Sequence, residues 1–271
     1  MRRSGNHLTL DSLSGPRDVR DLVKQLYTVV QFKGFEEVVV DFRNVSRAYP
    51  NTCVPVVGVV NYYRGQNIDV RLKNLLPFLR NTQLENPVHA NRTNVESSNG
   101  VLSKVWRFDD AQGVSVLTKA YVTALSEKVE CKQAVLEAFE WCINEVMDNV
   151  LQHSREKEGF VMVAIYTERR RVAICLTDTG IGIYRSLRDS IHKPKNSVDA
   201  ITMAVKEGVT RNSKEHQGNG LWGLLEIVSE NKGRLNIISG NGSVYYRSDG
   251  QVETFDKVPY LDQTHQCTTV D

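Results

Sequence analysis

Three motifs in this sequence have residue types that could bind a ligand, and one of them is a carboxylate followed by two glycines. Asp178-Thr179-Gly180-Ile181-Gly182 comes directly after a predicted strand over residues 172–176. Glycines let the backbone approach a ligand closely. A carboxylate fixed at that point can accept a hydrogen bond from an exocyclic amino group and thereby recognise adenine. The same residues also form ordinary turns, so this motif alone leaves both interpretations open.

A glycine-rich segment forms the second candidate site, with the sequence Gly218-Asn219-Gly220-Leu221-Trp222-Gly223-Leu224. It leads into a helical pattern, and the N-terminus of a helix presents unpaired N–H groups and a positive dipole end to phosphate. The segment does not fit the dinucleotide-binding fingerprint, because no strand immediately precedes it and no tight strand–helix–strand unit surrounds it. By itself it does not identify a ligand.

Polar side chains spaced along one predicted helix form the third motif. Glu145, Asp148, Asn149 and Gln152 recur at intervals of three and four residues, which brings them to one face of the helix. The opposite side is apolar and carries Val135, Phe139, Cys142, Ile143, Val146 and Val150. The polar stripe is either a solvated face or an organised site, and both interpretations remain open.

Helices and strands with clear periodicity are expected around these motifs. The predicted helices of the second half cover residues 114–125, 134–153 and 224–230. The predicted strands cover residues 160–166, 171–177 and 235–239. A turn at residues 168–170 joins the first two strands, and Asn241-Gly242 is a hairpin turn signal.

Strands and helices alternate in the first part of the chain. The predicted strands cover residues 7–13, 37–42 and 68–72. One helix opens at Pro16, and a second covers residues 54–63 after a turn at residues 50–53. This alternation predicts an α/β domain over residues 1–80. The asparagine-rich residues 81–100 are predicted as a linker or long loop, which leaves 101–271 as a second domain.

Composition and charge exclude several classes of protein. The 271 residues are 41% hydrophobic and 24% charged, which is typical of a globular protein. The formal net charge of +2 gives no electrostatic reason to expect nucleic acid or a membrane as an obligatory partner. No apolar run approaches the ~18 residues of a membrane span, and no signal core follows the N-terminus, so we expect a cytoplasmic protein. The five cysteines contain no C-x-x-C pair and are predicted to be reduced, buried thiols.

The order of the three motifs is more specific than any of them alone. A Glu-x-x-x-Asn helix, an Asp-x-Gly-x-Gly turn and a Gly-x-Gly-Leu loop follow one another between residues 145 and 221. This order resembles the GHKL, or Bergerat-fold, ATP-binding family of gyrases, heat-shock chaperones, histidine kinases and mismatch-repair ATPases. The resemblance covers residues 100–271, and residues 144–149 with Gly208-Val209-Thr210 look most like the stand-alone anti-sigma serine-kinase branch. It implies an α/β sandwich whose mixed sheet is covered by helices on one face.

The resemblance implies ATP and Mg²⁺ as cofactors and assigns roles to individual residues. Asn149 would hold Mg²⁺ at the phosphates, and Glu145 would act as general base or position the attacking water. Asp178 would bind the adenine amino group, and residues 183–217 would form a mobile lid over the nucleotide. The residues that it assigns to ATP binding are Asp148, Asn149, Asp178, Gly180, Gly182, Arg211, Gly218, Asn219, Gly220, Leu221 and Thr268.

The sequence departs from the family pattern at two places. Trp222 stands between Leu221 and Gly223, where the usual pattern is Gly-x-Gly-Leu-Gly-Leu. The late Gly-Thr pair of the family is Cys267-Thr268 here. These departures concern the geometry of the lid and the contact made by Thr268.

Residues 37–72 resemble a STAS domain, the fold of anti-sigma-factor antagonists. Such domains carry a phosphorylatable Ser or Thr in a turn between a strand and an apolar helix. The family's Asp-Ser-Ser-Gly turn is replaced here by Pro50-Asn51-Thr52-Cys53, and Thr52 is the only hydroxyl at the corresponding site. Thr52 is therefore either a phospho-acceptor or a helix cap.

Two functions follow from these resemblances. The first is an ATP-hydrolysing or serine/threonine-phosphorylating enzyme that is controlled by, or acts through, the STAS-like domain. The second is a non-catalytic switch in which ATP changes the affinity for a partner. Either function implies a protein partner or a second copy of the chain. The predicted helix over residues 114–125 contains no histidine, so autophosphorylation on histidine is not expected.

Overall fold

Two β-sheets with helices packed against them make up the computed structural model of this chain. The structure describes residues 1–153, 158–209, 220–256 and 268–271. The mixed α/β class that the sequence predicted is confirmed. Within the described ranges, no helix combines the length and the apolar character that crossing a membrane would need.

The smaller sheet is formed by the N-terminal part of the chain. In spatial order its strands are β1 (Arg2–Ser4), β2 (His7–Thr9), β3 (Glu37–Asp41) and β4 (Asp69–Lys73). β1 and β2 pair antiparallel, whereas β2, β3 and β4 run parallel. The accompanying helices are α1 (Pro16–Tyr27), α2 (Pro50–Gly65) and α3 (Pro77–Asn81). α1 and α2 connect the parallel strands and contact each other.

Helix α2 begins four residues earlier than the sequence indicated. We predicted a turn at residues 50–53, but Pro50 is the first residue of the helix. The Thr52 hydroxyl donates a hydrogen bond to the Tyr49 carbonyl oxygen at 3.0 Å and accepts one from the Tyr49 amide at 3.3 Å. Proline is favoured in the first helical turn, where its missing N–H is not needed. The residues that suggested a turn are therefore those that start the helix.

The larger sheet contains eight strands. In chain order they are β5 (Val88–His89), β6 (Trp106–Phe108), β7 (Gly159–Tyr166), β8 (Arg171–Asp178), β9 (Leu235–Ser239), β10 (Gly242–Tyr246), β11 (Val252–Phe255) and β12 (Thr268–Val270). Their spatial order is β11-β10-β9-β12-β8-β7-β6-β5, so the last strand lies between β8 and β9. The accompanying helices are α4 (Arg92–Ser97), α5 (Ala111–Lys128), α6 (Gln133–His153), α7 (Gly182–Arg188), α8 (Ser197–Ala204) and α9 (Gly220–Glu230).

The segment predicted as a linker contributes to this larger sheet. Within residues 81–100 lie the short strand β5, which pairs with β6, and the helix α4. Asn91 caps α4, because its side-chain oxygen accepts a hydrogen bond from the Asn94 amide at 2.8 Å. The prediction of a linker or long loop therefore missed one short strand and one short helix. Asparagine is common in loops, but the same side chain also starts helices.

Both faces of the larger sheet are covered at its centre, which corrects the expectation of helices on one face only. Alternate side chains of β7 and β8 point to opposite faces. Val161 and Leu176 join a buried cluster with α5, α6 and α9. Phe160 and Cys175 join another cluster with α1 and α2. Since both sets of side chains are removed from water, each face needs a cover, and α2 supplies the second one.

Candidate functional site

Apart from the exposed Gln152, the polar stripe on α6 is not a solvated face. Glu145, Asp148 and Asn149 are each partly buried, and the opposite side of the helix is packed in the core, apart from the exposed Val135 at its start. Withdrawal from solvent raises the pKa of Asp148. Withdrawal from solvent also raises the pKa of Glu145, and the nearby charge of Asp148 adds to that shift. Partly buried carboxylates with raised pKa values are typical of functional sites.

The start of α9 approaches this stripe so closely that only glycine fits without movement. A Cβ atom added to Gly220 would lie 2.6 Å from Glu145 Oε2 and 3.1 Å from Asn149 Nδ2. Asn149 Nδ2 is buried and has no hydrogen-bond partner among the described residues. Buried polar groups normally have a partner, so an unsatisfied amide beside a glycine indicates a position where a ligand can bind.

The described part of the glycine-rich segment is the first turn of α9. Gly220 and Leu221 begin this helix, and Gly223 packs directly against the Trp141 ring of α6. Gly218 and Asn219, which the sequence assigned to phosphate binding, lie outside the described residues. The helix N-terminus that would face a phosphate is therefore adjacent to the α6 stripe.

Asp178 ends β8 on the sheet face that carries α6. Leu176, two residues earlier, lies in the cluster with the apolar side of α6, and side chains two apart in a strand share a face. The Asp178 side chain is 5% exposed, and its Oδ1 accepts a hydrogen bond from the Gly180 amide at 2.7 Å. The hydrogen bond stabilises a backbone turn, which was one of the two interpretations of this motif. It also fixes the orientation of the Asp178 carboxylate at the edge of the site.

The last strand brings Thr268 next to Asp178. β12 pairs with β8 through Thr269 and Thr177, and continuing that register by one residue places Thr268 opposite Asp178. The Thr268 hydroxyl lies 3.1 Å from Ser239 Oγ. Ser239 is buried, and no motif in the sequence indicated it.

Gly182 starts α7 directly after the Asp178 turn. Its φ of 72° lies in the left-handed region, where glycine is favoured. The amide of the next residue, Ile183, donates a hydrogen bond to Ser239 Oγ at 2.8 Å. Gly180, Gly182 and Thr268, all three assigned to ATP binding by the resemblance, therefore lie around the end of β8.

Part of the segment predicted as a mobile lid is packed. Helices α7 and α8 contact each other within residues 183–209 and bury Leu187, Ala200 and Ile201. These residues are therefore held by apolar contacts in the structure, and their movement over a nucleotide stays a prediction. The rest of the predicted lid, with Arg211, lies outside the described residues.

Thr52 lacks the exposure that a phospho-acceptor needs. Its side chain is fully buried, and its hydroxyl is engaged with the Tyr49 backbone at the start of α2. A kinase would have to open the first turn of the helix to reach Oγ1. The structure therefore favours the capping interpretation: Thr52 is the third residue of α2, and its hydroxyl accepts a hydrogen bond from the amide of Tyr49, the residue that precedes the helix.

Asp271 is a partly buried residue with a poorly solvated carboxylate, and the sequence did not indicate it. Its Oδ2 accepts a hydrogen bond from Asn51 Nδ2 of α2 at 3.1 Å. Burial raises the pKa of Asp271 to about 6, and the Asn51 hydrogen bond acts in the opposite direction. Cys175 of β8 is a titratable neighbour, and burial raises its pKa well above the usual range. Asp271 meets α2 only in the folded chain, so a pattern in the sequence could not show it.

We expect the stability of the protein to fall as the pH rises from 4 to 6. The folded chain keeps the Asp271 proton up to about pH 6, whereas the unfolded chain loses it near the ordinary value of 3.8. The resulting stabilisation is present below pH 4 and lost as the pH rises to 6. Asp271→Asn should therefore raise the free energy of unfolding by up to about 3 kcal/mol at neutral pH and change it little at pH 4. Urea unfolding of both proteins measures this, and an equal effect at both pH values would rule out the raised pKa.

Comparisons with family models, with curated proteins and with solved structures find no match to this chain. Its function is therefore inferred from its own residues and their geometry. Those residues are grouped at two places, the contact between α6 and α9 and the end of β8.

Proposed function

We propose that this chain is an ATP- and Mg²⁺-binding regulatory protein of the GHKL type, with an N-terminal STAS-like unit. The contact between α6 and α9 carries the proposal. There Glu145 and Asn149 face Gly220, and the buried Asn149 amide has no partner among the described residues. A phosphate oxygen of a nucleotide would accept a hydrogen bond from this Nδ2 donor, while the amide oxygen of Asn149 would face the metal.

The side chains on α6 are suited to Mg²⁺. The cation prefers oxygen ligands and is usually held by one or two protein groups together with phosphates and water. Asn149 would contribute its amide oxygen, and Asp148 lies next to it on the helix. Bound Mg²⁺ would neutralise charge on the phosphates. The first turn of α9, beginning at Gly220, would present its backbone N–H groups to the same phosphates.

Glu145 is proposed as the general base of an ATPase or a serine/threonine protein kinase. It is one helical turn from Asn149 and would therefore lie near the phosphates rather than the adenine. Its raised pKa brings it closer to the operating pH, where a base is most effective. In this role Glu145 would take the proton from the attacking water or from the hydroxyl of a substrate protein.

A nucleotide-gated switch is the second candidate function, and the contact between α2 and β8 favours it. A Cβ atom on Gly58 of α2 would lie 2.7 Å from Thr177 Cγ2, and Thr177 directly precedes Asp178. Since Thr52 is buried, control through the N-terminal unit would use this contact rather than phosphorylation of α2. A partner or second copy bound to that unit would then sense the nucleotide.

Incubation of the full chain with ATP labelled at the γ-phosphate separates these candidates. Release of labelled phosphate indicates an ATPase, and transfer of label to an added or co-purified protein indicates a kinase. Saturable binding without either product indicates the switch. Absence of binding as well as turnover would overturn the whole proposal.

The replacement Asp178→Asn is expected to weaken ATP binding by about ten- to a hundredfold. The variant keeps the side-chain shape but loses the charged acceptor for the adenine amino group. Equilibrium titration with ATP and Mg²⁺ measures the change, and Asp249→Asn in an exposed turn is the matched control. An unchanged affinity in a correctly folded Asp178→Asn protein would remove the adenine-binding role.

A further inference from the structure

Three polar side chains form a row across neighbouring strands of the larger sheet. Ser239 of β9 pairs with Thr268 of β12, and Thr268 lies opposite Asp178 of β8 when the observed register is continued by one residue. Each of the three stands two residues from an apolar side chain in the cluster that contains α6, namely Ile237, Val270 and Leu176. Side chains two apart in a strand share a face, so the row lies on the α6 face of the sheet.

The Ser239 hydroxyl connects two parts of this row's surroundings. Its Oγ accepts a hydrogen bond from the Ile183 amide at 2.8 Å and lies 3.1 Å from Thr268 Oγ1. Ile183 is the second residue of α7, the helix that begins at Gly182. Ser239 therefore fixes both the start of this helix and the Thr268 side chain relative to the same strand.

Burial determines which of the two hydroxyls is the donor. Ser239 is 1% exposed, and buried hydroxyl groups normally form hydrogen bonds. Its oxygen already accepts from Ile183, and among the described residues Thr268 Oγ1 is the remaining partner that can accept the Ser239 hydrogen. Since a hydroxyl has a single hydrogen, Ser239 donates to Thr268. Thr268 is only partly buried, and its own hydrogen is left for a different acceptor.

We propose that Ser239 is a positioning residue, which holds the Thr268 hydroxyl as a donor to a ring nitrogen of bound adenine. The inference rests on the proposed ATP-binding function and adds the residue that sets the direction of one contact. In adenine two ring nitrogens, N1 and N7, flank the amino group, and both accept hydrogen bonds. Asp178 is proposed to accept from that amino group. A donor beside Asp178 would therefore face one of the two nitrogens.

Two ATP analogues test this contact, 1-deaza-ATP and 7-deaza-ATP, in which a C–H group replaces N1 or N7. In calorimetric titration of the full chain with Mg²⁺, the wild-type protein should bind one analogue about tenfold more weakly than ATP, because the acceptor for Thr268 is lost. Equal affinities for ATP and both analogues would overturn this inference and leave ATP binding in place. Absence of ATP binding would overturn the proposed function, and the inference with it.

Substitution of Ser239 connects that preference to the positioning role. In Ser239→Ala the preference for ATP over the weaker analogue should shrink from about tenfold to about twofold or less, because nothing holds the Thr268 hydroxyl as a donor. Ser243→Ala is the matched control. Ser243 is a buried serine on the adjacent strand β10, and it pairs with Ile238, which packs on the opposite face of the sheet. This variant should keep the tenfold preference.

A second variant guards against loss of folding, which circular dichroism checks. Ser239→Cys keeps the size of the side chain but replaces the hydroxyl by a weakly donating thiol, so it should also reduce the preference. It decides the matter if Ser239→Ala does not fold. A serine that only supports the fold would change the affinity for ATP and for the analogue equally. A folded variant at position 239 that keeps the tenfold preference would therefore contradict the positioning role.

Discussion

In the Glu145→Gln variant, ATP is expected to bind as in the wild-type protein, while turnover falls by about 10²- to 10⁴-fold. Glutamine keeps the size of the side chain and its place beside Gly220, but it cannot accept a proton. Binding should survive because the contacts proposed for the adenine and the metal come from Asp178 and Asn149. The release of labelled phosphate, or the transfer of label to protein, at saturating ATP measures the effect.

Glu140→Gln is the matched control, because Glu140 lies on the same helix and is exposed. It should keep wild-type turnover. If Glu145→Gln keeps most of the wild-type activity, Glu145 is not the base. If the wild-type protein binds ATP without turnover, the nucleotide-gated switch is the function that remains.

Phe160→Ala is expected to lower the free energy of unfolding by about 3–5 kcal/mol. The Phe160 ring is completely buried on β7, in the cluster formed by the N-terminal helices. Its removal leaves a cavity between α2 and the larger sheet. Since this core is shared, the N-terminal unit and the sheet should lose stability together, in one transition. Urea unfolding followed by circular dichroism and tryptophan fluorescence measures both the size and the number of transitions.

Phe255→Ala is the control for the loss of an aromatic ring, because Phe255 on β11 is 48% exposed. Its effect on the free energy of unfolding should be within about 0.5 kcal/mol. A similarly small effect of Phe160→Ala would contradict the shared core. So would two separate transitions of which only one is shifted.

Local patterns predicted the elements around the site but not their packing. The alternation of α6 side chains and the turn between β7 and β8 depend on neighbours within a few residues, and both elements are present. At that turn Arg170 adopts a left-handed conformation, with a φ of 46°. The packing of α2 on β7 and β8 depends on residues far apart in the chain. A strand pattern shows that a face is apolar but not which helix covers it.

The site was predictable where residues close together in the sequence fix their own relative positions. The spacing of Glu145 and Asn149 on one helix places them together, and the glycine at 220 indicates a close approach of the backbone. Ser239 and Asp271 gave no signal, because each acquires its role only from a strand or helix that is distant in sequence. The sequence left the burial of Thr52 open, because a hydroxyl near the start of a helix serves either as a cap or as an exposed acceptor. In the structure, α2 starts early enough to include Thr52, and the side chain is buried.

Selective binding of ATP over GTP tests most directly whether Asp178 and the α6 stripe form an adenine-nucleotide site. Adenine has an amino group where guanine has a carbonyl oxygen, so the Asp178 carboxylate would accept a hydrogen bond from ATP and face an oxygen in GTP. Calorimetric titration of the full chain with each nucleotide in Mg²⁺ measures this preference. ATP is expected to bind saturably, with GTP at least about tenfold weaker. Equal affinities for the two nucleotides, or no saturable binding of either, would contradict the proposed site.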